Sequence, residues 1–141
     1  MFFEPESSFG MISMELIRGD NFAIRPHSTE GILRDLFGQL AAGLNALHEA
    51  GILHCDLKPA NVLIEYGGRV VILDFGLAHR ILNSGGSATV LACTPDYAAP
   101  DQLSNCEIGE AADWYSLGVM LYEAMTGQLP YLRIEVHLPR F

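Results

Sequence analysis

From Glu30 to Glu49 apolar residues recur at three- and four-residue steps, and Ile32, Leu33, Leu36, Phe37, Leu40, Leu44 and Leu47 fall on one side of a helix. Ser28-Thr29-Glu30-Gly31 offers its N-cap, and Gly51 closes it. Such a stripe is stable only when covered, which calls for a second apolar helix. Asp113 to Thr126 answers that need, with Trp114, Leu117, Leu121 and Met125 at helical spacing and Gly127 as C-cap, and a helix this apolar is expected to be central. Between the two helices the pattern shortens to β-type runs. Asn61-Val62-Leu63-Ile64 and Val70-Val71-Ile72-Leu73, joined by Glu65-Tyr66-Gly67-Gly68-Arg69, predict a hairpin. Upstream, Gly10 to Ile17 predicts a strand that Arg18-Gly19-Asp20-Asn21 ends as a turn. Leu77 to Arg80 and the Ser/Gly-rich stretch Asn83 to Thr89 read as a loop, and Gln128 to Phe141 shows no periodic pattern. The outcome is an α+β chain, mostly helical, with one short hairpin.

Composition narrows the class. The chain has 141 residues, within the range of a single domain, and its mix of apolar and polar positions is that of a globular protein. A formal net charge of −9 repels phosphate backbones and anionic membrane surfaces, so nucleic acid and membrane surfaces are not expected partners. Cys55, Cys93 and Cys106 form no C-x-x-C pair and are odd in number, which fits a reducing cytoplasm better than a disulfide framework or a zinc site. No apolar run approaches the ~18 residues of a membrane-spanning helix.

The chemistry is concentrated in His54-Cys55-Asp56-Leu57-Lys58-Pro59-Ala60-Asn61, which places a carboxylate, an amine and a carboxamide close together around a proline. Pro59 lacks an N–H and disfavours helical geometry at Lys58, so Asp56, Lys58 and Asn61 are expected on a loop that can aim all three at one point. A second carboxylate, Asp74 of Asp74-Phe75-Gly76, leaves the hairpin that Asn61 enters, and the hairpin thereby fixes the distance between the two. His48, near the end of the first helix, reads as a helix-terminus cation rather than a ligand.

In order and spacing these motifs, with Ala99-Pro100-Asp101 downstream, resemble the signature set of the protein-kinase family: the catalytic loop, the magnesium motif and the end of the activation segment. Taken singly each has a plain structural reading; together they are specific. The resemblance implies a kinase-like fold cut short at both ends, with residues 1–19 as the end of the small lobe and hinge and residues 20–141 as an incomplete large lobe. It implies ATP and magnesium as cofactors and phosphoryl transfer to serine or threonine of a protein substrate. Asp56 would accept the substrate hydroxyl proton, Lys58 would sit beside the transferring phosphate, and Asn61 and Asp74 would hold magnesium. Met14, Glu15, Ile17, Asp20 and Leu63, together with Asp74, would face the nucleotide. Thr94 matches the threonine that supports the lysine of the serine/threonine branch, and Asp113 the aspartate that hydrogen-bonds the catalytic-loop backbone.

The sequence also departs from the family pattern. Lys58 is the only lysine and no two glycines stand two apart, so the glycine loop and the strand lysine are missing. Cys55 stands in the arginine place before Asp56, which removes the usual grip on a phosphorylated activation segment, with Thr89 the expected acceptor there. Asp101 replaces a glutamate, and Cys93 a common glycine. Two other readings compete with a protein kinase: a catalytically dead kinase-like interaction module, and a small-molecule phosphotransferase.

Overall fold

The apolar stripe of the first long segment folds as expected. In the computed structural model, which describes residues 15–22, 29–73, 79–80, 94–104 and 108–131, Glu30–Glu49 is helix α1, with Phe37, Leu40, Leu44 and His48 buried. Thr29 is its N-cap without a side-chain bond, and Gly51, at φ 71°, takes the left-handed turn that ends it while its N–H meets the His48 carbonyl at 2.8 Å. Ile32, counted in the stripe, is 52% exposed.

The second long helix, α3, spans Glu110–Thr126 and begins a turn earlier than the pattern indicated, ending at Gly127 in left-handed geometry. Its buried face is Ala112, Asp113, Ser116, Val119, Met120 and Ala124, whereas Trp114, Leu121 and Met125 of the expected stripe are 38%, 37% and 69% exposed. This helix is apolar around most of its circumference, so spacing could not select a face. The side that packs is the one whose small residues allow close approach and whose aspartate finds donors. Met120 and Ala124 join Phe22, Phe37, Leu40, Leu44, Leu57 and Val62 in one core, with the Phe22 and Phe37 rings edge to face at 5.4 Å. Truncating a wholly buried member such as Leu40 to alanine costs about 2–5 kcal/mol.

The hairpin is present as β3 (Val62–Glu65) and β4 (Val70–Ile72), which follow β1 (Gly19–Asn21) and β2 (Ile52–Leu53) along the chain. Val62 pairs with Ile72 and Ile64 with Val70. Strand β1 corrects the turn expected at residues 18–21: Gly19, Asp20 and Asn21 pair with Glu65, Ile64 and Leu63, giving an antiparallel sheet of order β1-β3-β4. Glycine makes this pairing possible, because a Cβ at Gly19 would overlap the Ile64 carbonyl oxygen. The expected strand before it lies outside the described residues up to Met14, and Glu15–Arg18 is not a strand. A second correction concerns His79–Arg80, expected in a loop: it forms β5 against β2, with Leu53 opposite His79. Pro100–Leu103 is a short helix, α2, packed at a smaller cluster of Leu53, Cys55, Ala99, Ile108 and Ala112. Among the described residues no helix is long and apolar enough to cross a membrane.

Candidate functional site

The site is organised from beneath by one buried carboxylate. Asp113, 1% exposed in the first turns of α3, accepts the Cys55 N–H on Oδ1 at 2.8 Å and the His54 N–H on Oδ2 at 2.9 Å. Its Oδ2 also accepts from His48 Nε2 at 2.9 Å. An aspartate at this position could serve merely as a partner of the helix dipole, but here it holds two consecutive backbone amides of a loop. Cys55, between them, has φ 64°, a conformation L-residues adopt rarely and keep only where neighbours enforce it.

Above this anchor Asp56 turns its carboxylate into a cluster. Lys58 Nζ lies 2.7 Å from Oδ2, Asn61 Nδ2 donates to Oδ2 at 3.1 Å, and Thr94 donates to Oδ1 from its hydroxyl at 3.0 Å and its N–H at 3.3 Å. Lys58 also donates to the Thr94 hydroxyl oxygen at 2.7 Å. Partial burial by itself would raise the Asp56 pKa, but the hydrogen bonds from Lys58, Thr94 and Asn61 and the Lys58 charge outweigh it and hold the carboxyl below its ordinary value. Asp56 is therefore ionised at neutral pH. The structure brings Asp56, Lys58, Asn61 and Thr94 together. Asn61, expected on a loop, lies in a single 3-10 turn, Pro59–Asn61, which Pro59 opens.

The hairpin is tied to this loop. His54 Nδ1 accepts the Asp56 N–H at 3.3 Å, which leaves Nε2 to donate to the Leu73 carbonyl at 3.0 Å, and the Leu73 N–H meets the Asn61 carbonyl at 2.8 Å. Leu73 precedes Asp74, and Asp74 itself lies outside the described residues, as do Met14, Thr89 and Cys93. The Asn61 side chain uses only Nδ2 in hydrogen bonds among the described residues, which leaves its Oδ1, a hard donor, to meet a cation. Among the described residues there is no cluster of three or more His, Cys, Asp or Glu that would bind a metal unaided.

The other candidates are built differently. Glu15 is exposed and its carboxylate is engaged by Arg69 of the hairpin turn at 2.7 Å, which raises the Arg69 pKa. Ile17, ahead of β1, is half-buried; Asp20 on β1 is exposed and Leu63 on the adjacent β3 is half-buried. Cys55, in the arginine place, packs its side chain in the small apolar cluster and is 2% exposed. Asp101 is exposed on α2.

Three contributors escaped the sequence reading. His48, expected as a helix-terminus cation, is buried and donates to Asp113; its signal was its place four residues after Leu44 on the buried stripe. Ser116 donates to the Tyr97 carbonyl at 2.8 Å, and Gln102, 5% exposed, donates to the Cys55 carbonyl at 2.8 Å. Neither of these bonds had a sequence signal, since each partner is distant in the chain. Tyr97 in turn donates to Glu123 at 2.7 Å, and burial followed by that carboxylate pushes its pKa up.

The family model described as protein kinase domain matches residues 1–138. Ribosomal protein S6 kinase alpha-1 of Homo sapiens is 32% identical over 133 residues, 92% of this chain and 18% of that protein. Serine/threonine-protein kinase AtPK2/AtPK19 of Arabidopsis thaliana is 38% identical over 103 residues, 73% of this chain and 22% of that protein. Protein kinase 3 of Dictyostelium discoideum is 34% identical over 112 residues, 73% of this chain and 12% of that protein. The chain spans about a fifth or less of the length of these relatives.

Proposed function

From the premise that the chain belongs to the protein kinase family, we propose that it carries the substrate-hydroxyl side of an ATP-dependent phosphoryl transfer to serine or threonine in a protein. The observation that carries this reading is the Asp56–Lys58–Asn61–Thr94 cluster. Phosphoryl transfer needs little covalent chemistry from a protein and strict placement of a few groups. Asp56 accepts the hydrogen bond of the incoming hydroxyl and takes its proton as the new oxygen–phosphorus bond forms and the bond to ADP breaks. In this state both carboxylate oxygens are already engaged, and the 3.3 Å bond from the Thr94 N–H is the longest and the easiest for a hydroxyl to replace. Lys58 neutralises charge at the transferring phosphate.

Asn61 and Asp74 are assigned to magnesium, which when bound neutralises the charge of the nucleotide phosphates. The Asn61 Oδ1, which accepts no hydrogen bond among the described residues, fits that task. Met14, Glu15, Ile17, Asp20 and Leu63 are assigned to ATP, residues 1–19 to the end of a small lobe and hinge, and residues 20–141 to an incomplete large lobe. The Lys58–Thr94 bond supports serine/threonine over tyrosine. The net charge of −9 supports a protein over a nucleic acid as substrate, and the cysteine pattern supports a cytoplasmic setting.

The experiment is transfer of labelled phosphate from ATP to serine, threonine and tyrosine peptides by the chain fused in frame to a small lobe. Serine or threonine labelling well above tyrosine is the expected result. Absence of labelling on every peptide would favour a kinase-like interaction module, and labelling of small molecules alone would favour a small-molecule phosphotransferase.

A further inference from the structure

The peptide unit between Cys55 and Asp56 is held at both of its polar ends. Its N–H, that of Asp56, meets His54 Nδ1 at 3.3 Å, and its carbonyl, that of Cys55, accepts from Gln102 Nε2 at 2.8 Å. The same Gln102 amide accepts the Ala99 N–H on Oε1 at 2.9 Å, so one buried side chain links the start of α2 to the residue before Asp56. The link falls where the backbone is least able to hold itself, since Cys55 sits at φ 64°. Asp113 fixes the N–H side of Cys55 and Gln102 fixes its carbonyl side.

The segment carrying Gln102 also reaches Asp56 from its other end, because Thr94 donates twice to the Asp56 carboxylate. Between these two grips Tyr97 is anchored on α3 through Glu123, and its carbonyl takes the Ser116 hydroxyl. We propose that Gln102 is a positioning residue: it sets the plane of the Cys55–Asp56 peptide and thereby transmits the placement of the 94–102 segment to the aim of the Asp56 carboxylate. This rests on the reading of Asp56 as the partner of the substrate hydroxyl.

Two variants separate this role from simple capping of α2. Gln102→Glu keeps an acceptor for the Ala99 N–H and loses the donor to Cys55, while Gln102→Met, of similar length, loses both. Amide hydrogen exchange, read residue by residue by NMR on the labelled 141-residue chain, is the measurement. In Gln102→Glu the Asp56 amide should exchange about five- to tenfold faster than in the parent chain, with Ala99, α1 and α3 unchanged. In Gln102→Met both Asp56 and Ala99 should speed up. An Asp56 amide that keeps its parent rate in both variants overturns the proposal, and so does a uniform loss of protection along α1 and α3. Because the readout is backbone exchange, a chain that transfers no phosphate leaves this result intact, and failure here leaves the assignment of Asp56 intact.

Discussion

Asp56 receives polar contacts from three residues on two segments and stands on a loop whose amides are fixed by Asp113, while Glu15–Asn21 is a mostly exposed stretch joined by strand pairing and by one ion pair from Glu15 to Arg69. Leu16 in that stretch is 79% exposed. The two regions differ in how far their geometry is determined from within the described residues. Groups that must meet a reacting atom are over-determined, because misplacement by an ångström costs rate steeply. The stretch assigned to the nucleotide carries mostly exposed side chains and is held chiefly by its place in the sheet.

Removing the anchor should have the largest effect. Asp113→Ala leaves two backbone amides and His48 without their carboxylate in a buried site, and should lower unfolding stability by about 3–5 kcal/mol in chemical denaturation. A loss within error would show that the loop keeps its shape unaided. Thr94→Val removes the hydroxyl that bridges Lys58 and Asp56, and should cost about 1–2 kcal/mol in the same measurement while slowing transfer by the small-lobe fusion.

A smaller and pH-specific effect belongs to Tyr97. Burial, then the bond to Glu123, raises its pKa in the folded chain above the ordinary 10.0, so its neutral form is favoured on folding. The resulting stability is fully present below pH 10.0 and is lost as pH rises beyond it. Tyr97→Phe should therefore lose stability less steeply than the parent on alkaline titration, with the slope from Tyr115, also raised, common to both proteins. Identical alkaline slopes would contradict the raised value. The smallest effect is expected on the exposed side: Arg69→Gln should leave the denaturation midpoint unchanged, since exposed ion pairs are screened by water and salt. A clear shift there would erase the contrast between the two regions.

Much of this was legible in the chain itself. The α1 stripe, the hairpin and the loop of Asp56, Lys58 and Asn61 follow from periodicity and from Pro59, whose effects are local. The face of α3 was not, because Trp114, Leu121 and Met125 satisfy helical spacing as well as the residues that pack, and only Asp113 and the small residues beside it decide the matter. The β1 pairing was hidden because Gly19-Asp20-Asn21 has turn chemistry, and its strand conformation is imposed by Leu63–Glu65. Gln102 was missed for a related reason: its partner, the Cys55 carbonyl, lies across the fold, while His48 left only its place on the buried stripe of α1 as a trace.

In the proposed division of labour Asp56 serves the hydroxyl and not the nucleotide. This is tested most directly by titrating magnesium-ATP calorimetrically into the small-lobe fusion and its Asp56→Asn variant, with single-turnover transfer measured on the same two proteins. Nearly equal nucleotide affinity is expected, with a transfer rate lower by about 10²–10⁴-fold in the variant. Equal loss of binding and transfer, or transfer undiminished by the substitution, would contradict this division.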